Sequence, residues 1–205
     1  IDGFTRQEAA TLVINLTQDL DVIWKNMNKT CKNLINKAMR QKIVVRLSEN
    51  YEEFYKMLTR FRKKKGLSGL IERFDVIRKY GTLFVAEFDR KTLAGNIYLE
   101  DDNNIRWWIG ASKRLDVDKN MQKMIGDANR LLIWEAMKYA KEKGIKEFDM
   151  GGYYTGGDKN DPTYTINIFK QGFGGELTMY YTYERDYSKI HRFVGKFFRL
   201  KQALF

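Results

Sequence analysis

Hydrophobic positions along the chain alternate between a helical and a strand period, and these changes delimit most of its elements. Apolar residues three and four positions apart predict the helices Asp19–Met27, Lys29–Lys42, Asn50–Lys65, Leu70–Tyr80, Ala128–Lys143, Thr163–Gln171 and Ser188–Leu204. Short alternating or apolar runs predict the strands Thr11–Thr17, Ile43–Leu47, Thr82–Asp89, Thr92–Leu99, Asn104–Ala111, Glu147–Met150 and Leu177–Arg185. A polar segment, Ser112–Asp127, and a loop rich in glycine and tyrosine, Gly151–Asp161, separate the later elements.

The order of these elements predicts the fold class. The three central strands are joined by short turns at Arg90–Lys91 and Asp101–Asn103, which is typical of antiparallel neighbours. A long helix, a strand, a short helix and a last strand then follow, and such alternation after a meander is typical of a mixed sheet. We therefore expect an α/β domain with a mixed, mostly antiparallel sheet flanked by helices.

Charge and cysteine usage narrow the classes of function. The net charge is +11, from 37 basic and 26 acidic residues, which favours a polyanionic partner such as tRNA, a nucleotide-linked substrate or anionic lipid headgroups. A basic solvated surface without such a partner explains the charge equally well. The single cysteine, Cys31, excludes an internal disulfide, and with the single histidine, His191, it cannot build an ordinary zinc site. No apolar stretch reaches the roughly 18 residues of a membrane span.

Three phrases in the second half of the chain carry a family resemblance. They are Ala128–Ala136 (ANRLLIWEA), Lys143–Gly152 (KGIKEFDMGG), and Ile168–Glu176 (IFKQGFGGE) followed by Tyr183–Arg185 (YER). In this order and spacing, the chain from Thr11 onward resembles the second domain of the Fem family, aminoacyltransferases that build the interpeptide bridges of peptidoglycan. The resemblance implies the GNAT acyltransferase fold.

The resemblance also implies a domain organisation and an activity. Residues 18–186 would form the GNAT-like domain, residues 1–17 the tail of a missing upstream domain of the same fold, and residues 187–205 a helix that packs on that domain. The expected reaction moves an amino acid from aminoacyl-tRNA to an amine of a peptidoglycan precursor, either lipid II or a UDP-MurNAc-peptide. The expected location is the cytoplasm, including the inner face of the membrane, with peripheral contact to anionic lipid.

The Phe–Lys pair of the family corresponds here to Phe169 and Lys170, before a glycine-rich turn. The resemblance implies that Lys170 lies near the reacting groups, where a cation can stabilise the oxyanion of acyl transfer. It also implies that Glu184, on the next strand, is an acidic catalytic residue near the acceptor. From the residues alone, Lys170 could instead be a surface lysine that caps a helix, and Glu184 an exposed strand carboxylate.

Six further residues are candidates for substrate binding. Asp149, Gly151 and Gly152 lie at the carboxyl end of a short buried strand, where Asp149 either faces the site or caps the next turn. Tyr153 follows them. Trp107 and Trp108 are adjacent and face opposite sides of the sheet, and we take Trp108 as the groove-lining one.

Asn129 is the sixth candidate, near the expected start of the long helix, where it could also cap backbone amides. The residues that precede this helix argue against coenzyme A. GNAT acetyltransferases hold the pyrophosphate of coenzyme A with a glycine-rich turn, whereas Asn120–Asn129 contains one glycine and the anionic Asp127. We therefore expect no cofactor.

Two other functions stay open: an N-acyltransferase of the same fold acting on a nucleotide sugar or polysaccharide precursor, and a non-catalytic tRNA-binding module.

Overall fold

The computed structural model describes residues 3–67 and 71–185, so the predicted helix Ser188–Leu204 lies outside the described residues. Within these ranges the strands are β1 (Thr5–Asn15), β2 (Val44–Leu47), β3 (Thr82–Phe88), β4 (Lys91–Glu100), β5 (Asn104–Ser112), β6 (Glu147–Tyr153) and β7 (Glu176–Glu184). The helices are α1 (Leu20–Asn26), α2 (Lys29–Arg40), α3 (Tyr51–Lys65), α4 (Phe74–Tyr80), α5 (Lys119–Glu142) and α6 (Pro162–Gln171). A single 3₁₀ turn, Lys113–Asp116, precedes α5 in this part of the chain.

The strands form one sheet in the order β2-β3-β4-β5-β6-β1-β7. Its pairs are antiparallel except for β5 with β6, so the predicted mixed, mostly antiparallel sheet is confirmed. The β3–β4 turn lies at Asp89 and Arg90, one residue before the predicted position. Both residues have a positive φ, 48° and 58°. Two consecutive positive φ values define the tight hairpin turn whose twist suits antiparallel strands.

Two hydrophobic clusters fix helices to opposite faces of the sheet. One packs α2 and α5 against the strands through fully buried side chains such as Ile35, Leu132 and Phe148. The other holds α3 through Phe54 and Ile97. Burying a side chain of this size stabilises the fold by about 1.5–3 kcal/mol, so both helical layers are firmly attached.

The first strand differs from its prediction. It begins at Thr5, in a polar stretch without strand periodicity, and ends at Asn15. It becomes a strand because it pairs with β6 on one side and β7 on the other. Residues that we set apart as the tail of an upstream domain thus contribute a strand to this sheet. The upstream domain itself stays a prediction.

The longest helix, α5, begins nine residues earlier than predicted. The side chain of Asp118 accepts hydrogen bonds from the backbone amides of Asn120 and Met121, which caps the helix at its true start. Asn129 lies in the helix interior and does not cap it, so that interpretation is wrong. Asp127 is buried and forms an ion pair with Lys37, with 2.8 Å between Nζ and Oδ2.

Two other boundaries shift. Strand β6 continues to Tyr153, so Gly151 and Gly152 belong to the strand and not to the following loop. Helix α4 begins at Phe74, later than the predicted Leu70. The first shift matters for function, because it places the two glycines inside the sheet, where Gly152 pairs with Thr11 of β1 and Gly151 approaches Trp107 of β5.

Candidate active site

Lys170 is buried at the end of α6. The helix starts at Asp161, whose side chain accepts a hydrogen bond from the amide of Thr163. One face of the helix then turns inward, and Lys170 is only 5% exposed. Its Nζ donates to the carbonyl oxygens of Gly151 at 3.1 Å and Gly152 at 2.5 Å. The alternative of a solvated lysine that caps a helix is therefore wrong.

The ammonium lies where the sheet opens. In the described residues the parallel pairing of β5 with β6 ends at Arg106 and Asp149, although β5 continues to Ser112. Gly151 comes just beyond this point with a φ of +74°, and a Cβ atom there would lie 2.8 Å from the carbonyl oxygen of Trp107. Only glycine combines that backbone conformation with so close an approach. The carbonyls of Gly151 and Gly152 then remain free to accept from Lys170.

Burial lowers the pKa of Lys170 from 10.5 to about 8, because the charged form loses hydration. The nearby Asp149 carboxylate opposes this fall and the Arg106 guanidinium adds to it. The ammonium also faces the ring of Trp107, 5.6 Å from its centroid. At neutral pH most of the protein therefore carries a proton on Lys170, yet the neutral amine is accessible slightly above it.

Asp149 connects the lysine to the opposite face of the sheet. One carboxylate oxygen accepts from the Gly151 amide at 2.7 Å and contacts the Thr11 hydroxyl, which also lies 2.9 Å from the Gly151 carbonyl. The other lies 3.4 Å from Nη1 of Arg106. Asp149 thus caps the turn at Gly151 and carries charge near Lys170, whereas its role in substrate binding stays a prediction. It lines a cleft of about 330 Å³ that also includes Arg106.

An aromatic wall stands on the helical side of the opening. The ring of Phe169 packs against Trp107 at 6.1 Å between centroids and against Phe173 at 5.5 Å. The guanidinium of Arg130 lies 4.9 Å from the same Phe169 ring. Phe169 therefore belongs to the aromatic group beside Lys170, and its role in substrate binding stays a prediction.

The tryptophan prediction chose the wrong member of the pair. Trp108 packs with the α3 cluster on the other face and lines a separate pocket with Leu58 and Phe61. Trp107 is the one that contacts Lys170 and Phe169. Strand alternation showed that one of the two faces the site, but only the tertiary pairing decided which.

Glu184 does not lie beside Lys170. It is exposed at the edge of the sheet, where it pairs with Thr5, while Gly152 pairs with Thr11 on the same strand. Six strand residues separate the two positions, or about 20 Å at roughly 3.3 Å per residue. Its nearest recorded partner is Gln7, whose Nε2 donates at 3.5 Å. In this structure Glu184 therefore cannot orient Lys170.

The two remaining candidates, Tyr153 and Asn129, differ in whether they lie near Lys170. The hydroxyl of Tyr153 accepts from Nε2 of Gln171 at 2.5 Å, which links the end of β6 to the end of α6 next to Lys170. Asn129 lies within α5 and makes no contact with the lysine among the interactions recorded for the described residues. Tyr153 thus supports the site, whereas Asn129 does not join it.

Fold and site together define a GNAT-type acyltransferase. The model of the acetyltransferase (GNAT) domain family matches residues 25–162, so the chain belongs to this family. Comparison with curated protein sequences finds no match.

Solved structures share the fold. FemX matches with a TM-score of 0.73 and 13% identity, over 94% of this chain and 68% of FemX. The C-terminal domain of a putative lysylphosphatidylglycerol synthetase from Agrobacterium fabrum gives 0.67 and 12%, over 90% of this chain and 62% of that one. L-PGS from Bacillus licheniformis gives 0.60 and 13%, over 93% and 64%. At these identities the likeness establishes the fold, and the predicted resemblance to the Fem type is confirmed at that level.

None of the helices in residues 3–67 and 71–185 combines the length and apolar character needed to cross a bilayer.

The side chains available at the site define its chemistry. Across the same described residues, His, Cys, Asp and Glu side chains nowhere group closely enough to hold a metal ion. What the site offers is a desolvated lysine, which can stabilise negative charge as an ammonium or accept a proton as an amine.

Proposed function

We propose that this domain transfers an aminoacyl group from aminoacyl-tRNA to an amine of a peptidoglycan precursor peptide. In this reaction the amine attacks the ester carbonyl, a C–N bond forms, and the C–O bond to the ribose breaks. The attacking nitrogen loses a proton and the departing ribose oxygen gains one. The step passes through a tetrahedral intermediate with a negatively charged oxygen.

The proposal depends on one observation, the buried ammonium of Lys170. An ammonium has three N–H donors. Two of them are directed to the carbonyls of Gly151 and Gly152, which hold the group rigidly at the opening between β5 and β6. The third is left for the substrate. A preorganised cation in a site with little water stabilises an oxyanion far more than in solution, and loss of one such donor typically costs about 10²–10³ in rate.

The start of α5 favours a donor other than coenzyme A. A pyrophosphate held at a helix N-terminus needs free backbone amides. Here the carboxylate of Asp118 already accepts from the amides of Asn120 and Met121, and its charge repels phosphate. The segment Asn120–Asn129, on which the sequence-based expectation depended, lies inside α5 and not at its start. The same conclusion now depends on Asp118.

The folds of the similar structures support an aminoacyl donor. FemX and the C-terminal domain of a putative lysylphosphatidylglycerol synthetase share this architecture. A precursor that is either lipid II or a UDP-MurNAc-peptide, a location in the cytoplasm or at the inner face of the membrane, and the upstream domain are carried from the sequence as parts of the proposal.

The test is transfer of a radiolabelled amino acid from a panel of charged tRNAs to lipid-linked and nucleotide-linked muropeptides by the protein that carries this domain. We expect transfer from at least one tRNA and a fall of about 10²–10³ in kcat for Lys170→Met. Lys141→Met is the matched control, because Lys141 also donates to two backbone carbonyls but far from the site. No transfer across the panel, together with measurable acetyl-CoA binding by calorimetry, would replace the proposal with an acyl-CoA-dependent reaction.

A further inference from the structure

The basic charge of the protein is concentrated in two segments that lie side by side. The last turns of α3, Arg60–Lys65, carry five basic residues, and the segment Lys113–Lys119 carries three basic and two acidic residues. Together they hold +6 of the net charge of +11. We call these two segments the basic rim.

Contacts bring the segments together. Nζ of Lys64 donates to the carbonyl of Leu115 at 3.2 Å, and Nε of Arg60 lies 2.9 Å from the Asp116 carboxylate, which Lys64 also contacts. Two basic residues thus share Asp116, and their proximity lowers its pKa. Asp118 is engaged in capping α5.

Several cations of the rim are exposed. Lys63, Lys65, Arg114 and Lys119 all have exposed side chains. Because the two acids of the rim already serve Arg60, Lys64 and the helix cap, these four present positive charge to solvent. Such a cluster attracts a polyanion by releasing its counterions.

The rim follows directly after β5, the strand that carries Trp107 beside Lys170. Pairing of β5 with β6 ends at Arg106, and β5 then runs on, away from β6, to Ser112, directly before the rim. From Trp107, which faces the ammonium, to Lys113 is six residues, or about 20 Å along the strand at roughly 3.3 Å per residue. An elongated anion bound at the rim would therefore have to span about 20 Å to place one end at Lys170.

We propose that the basic rim binds the sugar–phosphate backbone of the RNA donor, so that its aminoacyl end enters between β5 and β6. That an anionic chain binds here follows from charge and geometry, and the choice of RNA depends on the proposed function. The phosphates are contacted by side chains and not by the α5 amides, which Asp118 occupies. A membrane surface is the rival partner, since Leu67 and Leu115 are exposed beside the rim (51% and 38%). A flat bilayer, however, offers no elongated end that could extend the roughly 20 Å along the strand to Lys170.

The test measures binding of uncharged bulk tRNA by fluorescence anisotropy over a range of salt concentrations. We expect the double variant Lys63→Glu, Lys65→Glu to weaken tRNA binding about tenfold or more at moderate salt. The slope of the logarithm of the binding constant against the logarithm of salt concentration should become shallower by between one and two, because each phosphate contact contributes about 0.7–0.9 to it. Lys29→Glu with Lys91→Glu makes the same charge change at exposed lysines elsewhere and should leave both quantities nearly unchanged. Circular dichroism checks that each variant folds, and Arg114→Glu provides an independent variant on the second segment.

The binding and transfer measurements together decide the matter. Weaker binding in the rim variants but not in the control supports the proposal, and retained binding by Lys170→Met shows that docking and chemistry are separate. Equal binding by rim and control variants overturns it. So does binding to phosphatidylglycerol vesicles, but not to tRNA, that Leu115→Ser abolishes. If the basic rim binds tRNA but no transfer occurs, the proposed function is wrong while the proposed binding surface is upheld. If transfer proceeds and the rim variants keep an unchanged KM for tRNA, only the proposed binding surface is wrong.

Discussion

Replacing Lys170 with methionine should stabilise the protein while lowering its kcat by about 10²–10³. The lysine pKa falls from 10.5 to about 8 on folding, chiefly because the charged group is buried. At about 1.36 kcal/mol per pKa unit, holding the ammonium in the site costs roughly 3 kcal/mol at neutral pH. Methionine keeps most of the apolar stem and carries no charge.

The lost hydrogen bonds offset only part of this gain. The Gly151 carbonyl keeps its contact with the Thr11 hydroxyl, and Gly152 is exposed, so water can satisfy its carbonyl. We therefore expect Lys170→Met to raise the free energy of unfolding by about 1–3 kcal/mol at pH 7. Lys141→Met, which removes two carbonyl contacts at a less enclosed position, should lower it by about 1 kcal/mol.

The sign of the pH dependence follows from linkage. Between pH 8 and about 10.5 the folded wild type has released the Lys170 proton while the unfolded chain still binds one, so wild-type stability rises with pH in this window. The advantage of Lys170→Met should be largest below pH 8 and nearly gone by about pH 10.5. Urea denaturation of both proteins at pH 7 and pH 10 measures it. A less stable variant at pH 7, or a difference that does not shrink at pH 10, would refute this account of the site.

Three further predictions concern the same site. If the ammonium is the active form, kcat should fall as pH rises through about 8; a rise there would assign Lys170 as a general base instead. Asp149→Asn should move this fall to lower pH, since the Asp149 charge raises the lysine pKa, and an unmoved profile would contradict the coupling. Gly151→Ala should lower the free energy of unfolding by about 2 kcal/mol or more in urea titrations, because its Cβ would strike the Trp107 carbonyl at a positive φ. Gly152→Ala is the control and should lower it much less, because the space around its new atom is open.

The sequence predicted the elements better than their limits. Regular apolar spacing located α2, α3 and the three central strands, since each buries one face in a conformation that its local pattern already favours. It missed the first nine residues of α5, where glycine and polar residues weaken the pattern and a single capping aspartate, Asp118, sets the start. It also missed the first half of β1, whose polar residues become a strand because they pair with β7.

The candidate site shows the same division. The motif Phe169–Lys170, the glycines of β6, the basic character of the chain and the GNAT order of elements could all be deduced from the order of residues. Only the tertiary structure decided that Lys170 is buried against two carbonyls, that Trp107 and not Trp108 faces it, and that Glu184 is about 20 Å away along the sheet. The physical reason is that local propensity depends on neighbours in the chain, whereas burial, the choice of sheet face and the distance between two side chains depend on which strands pair and in what register.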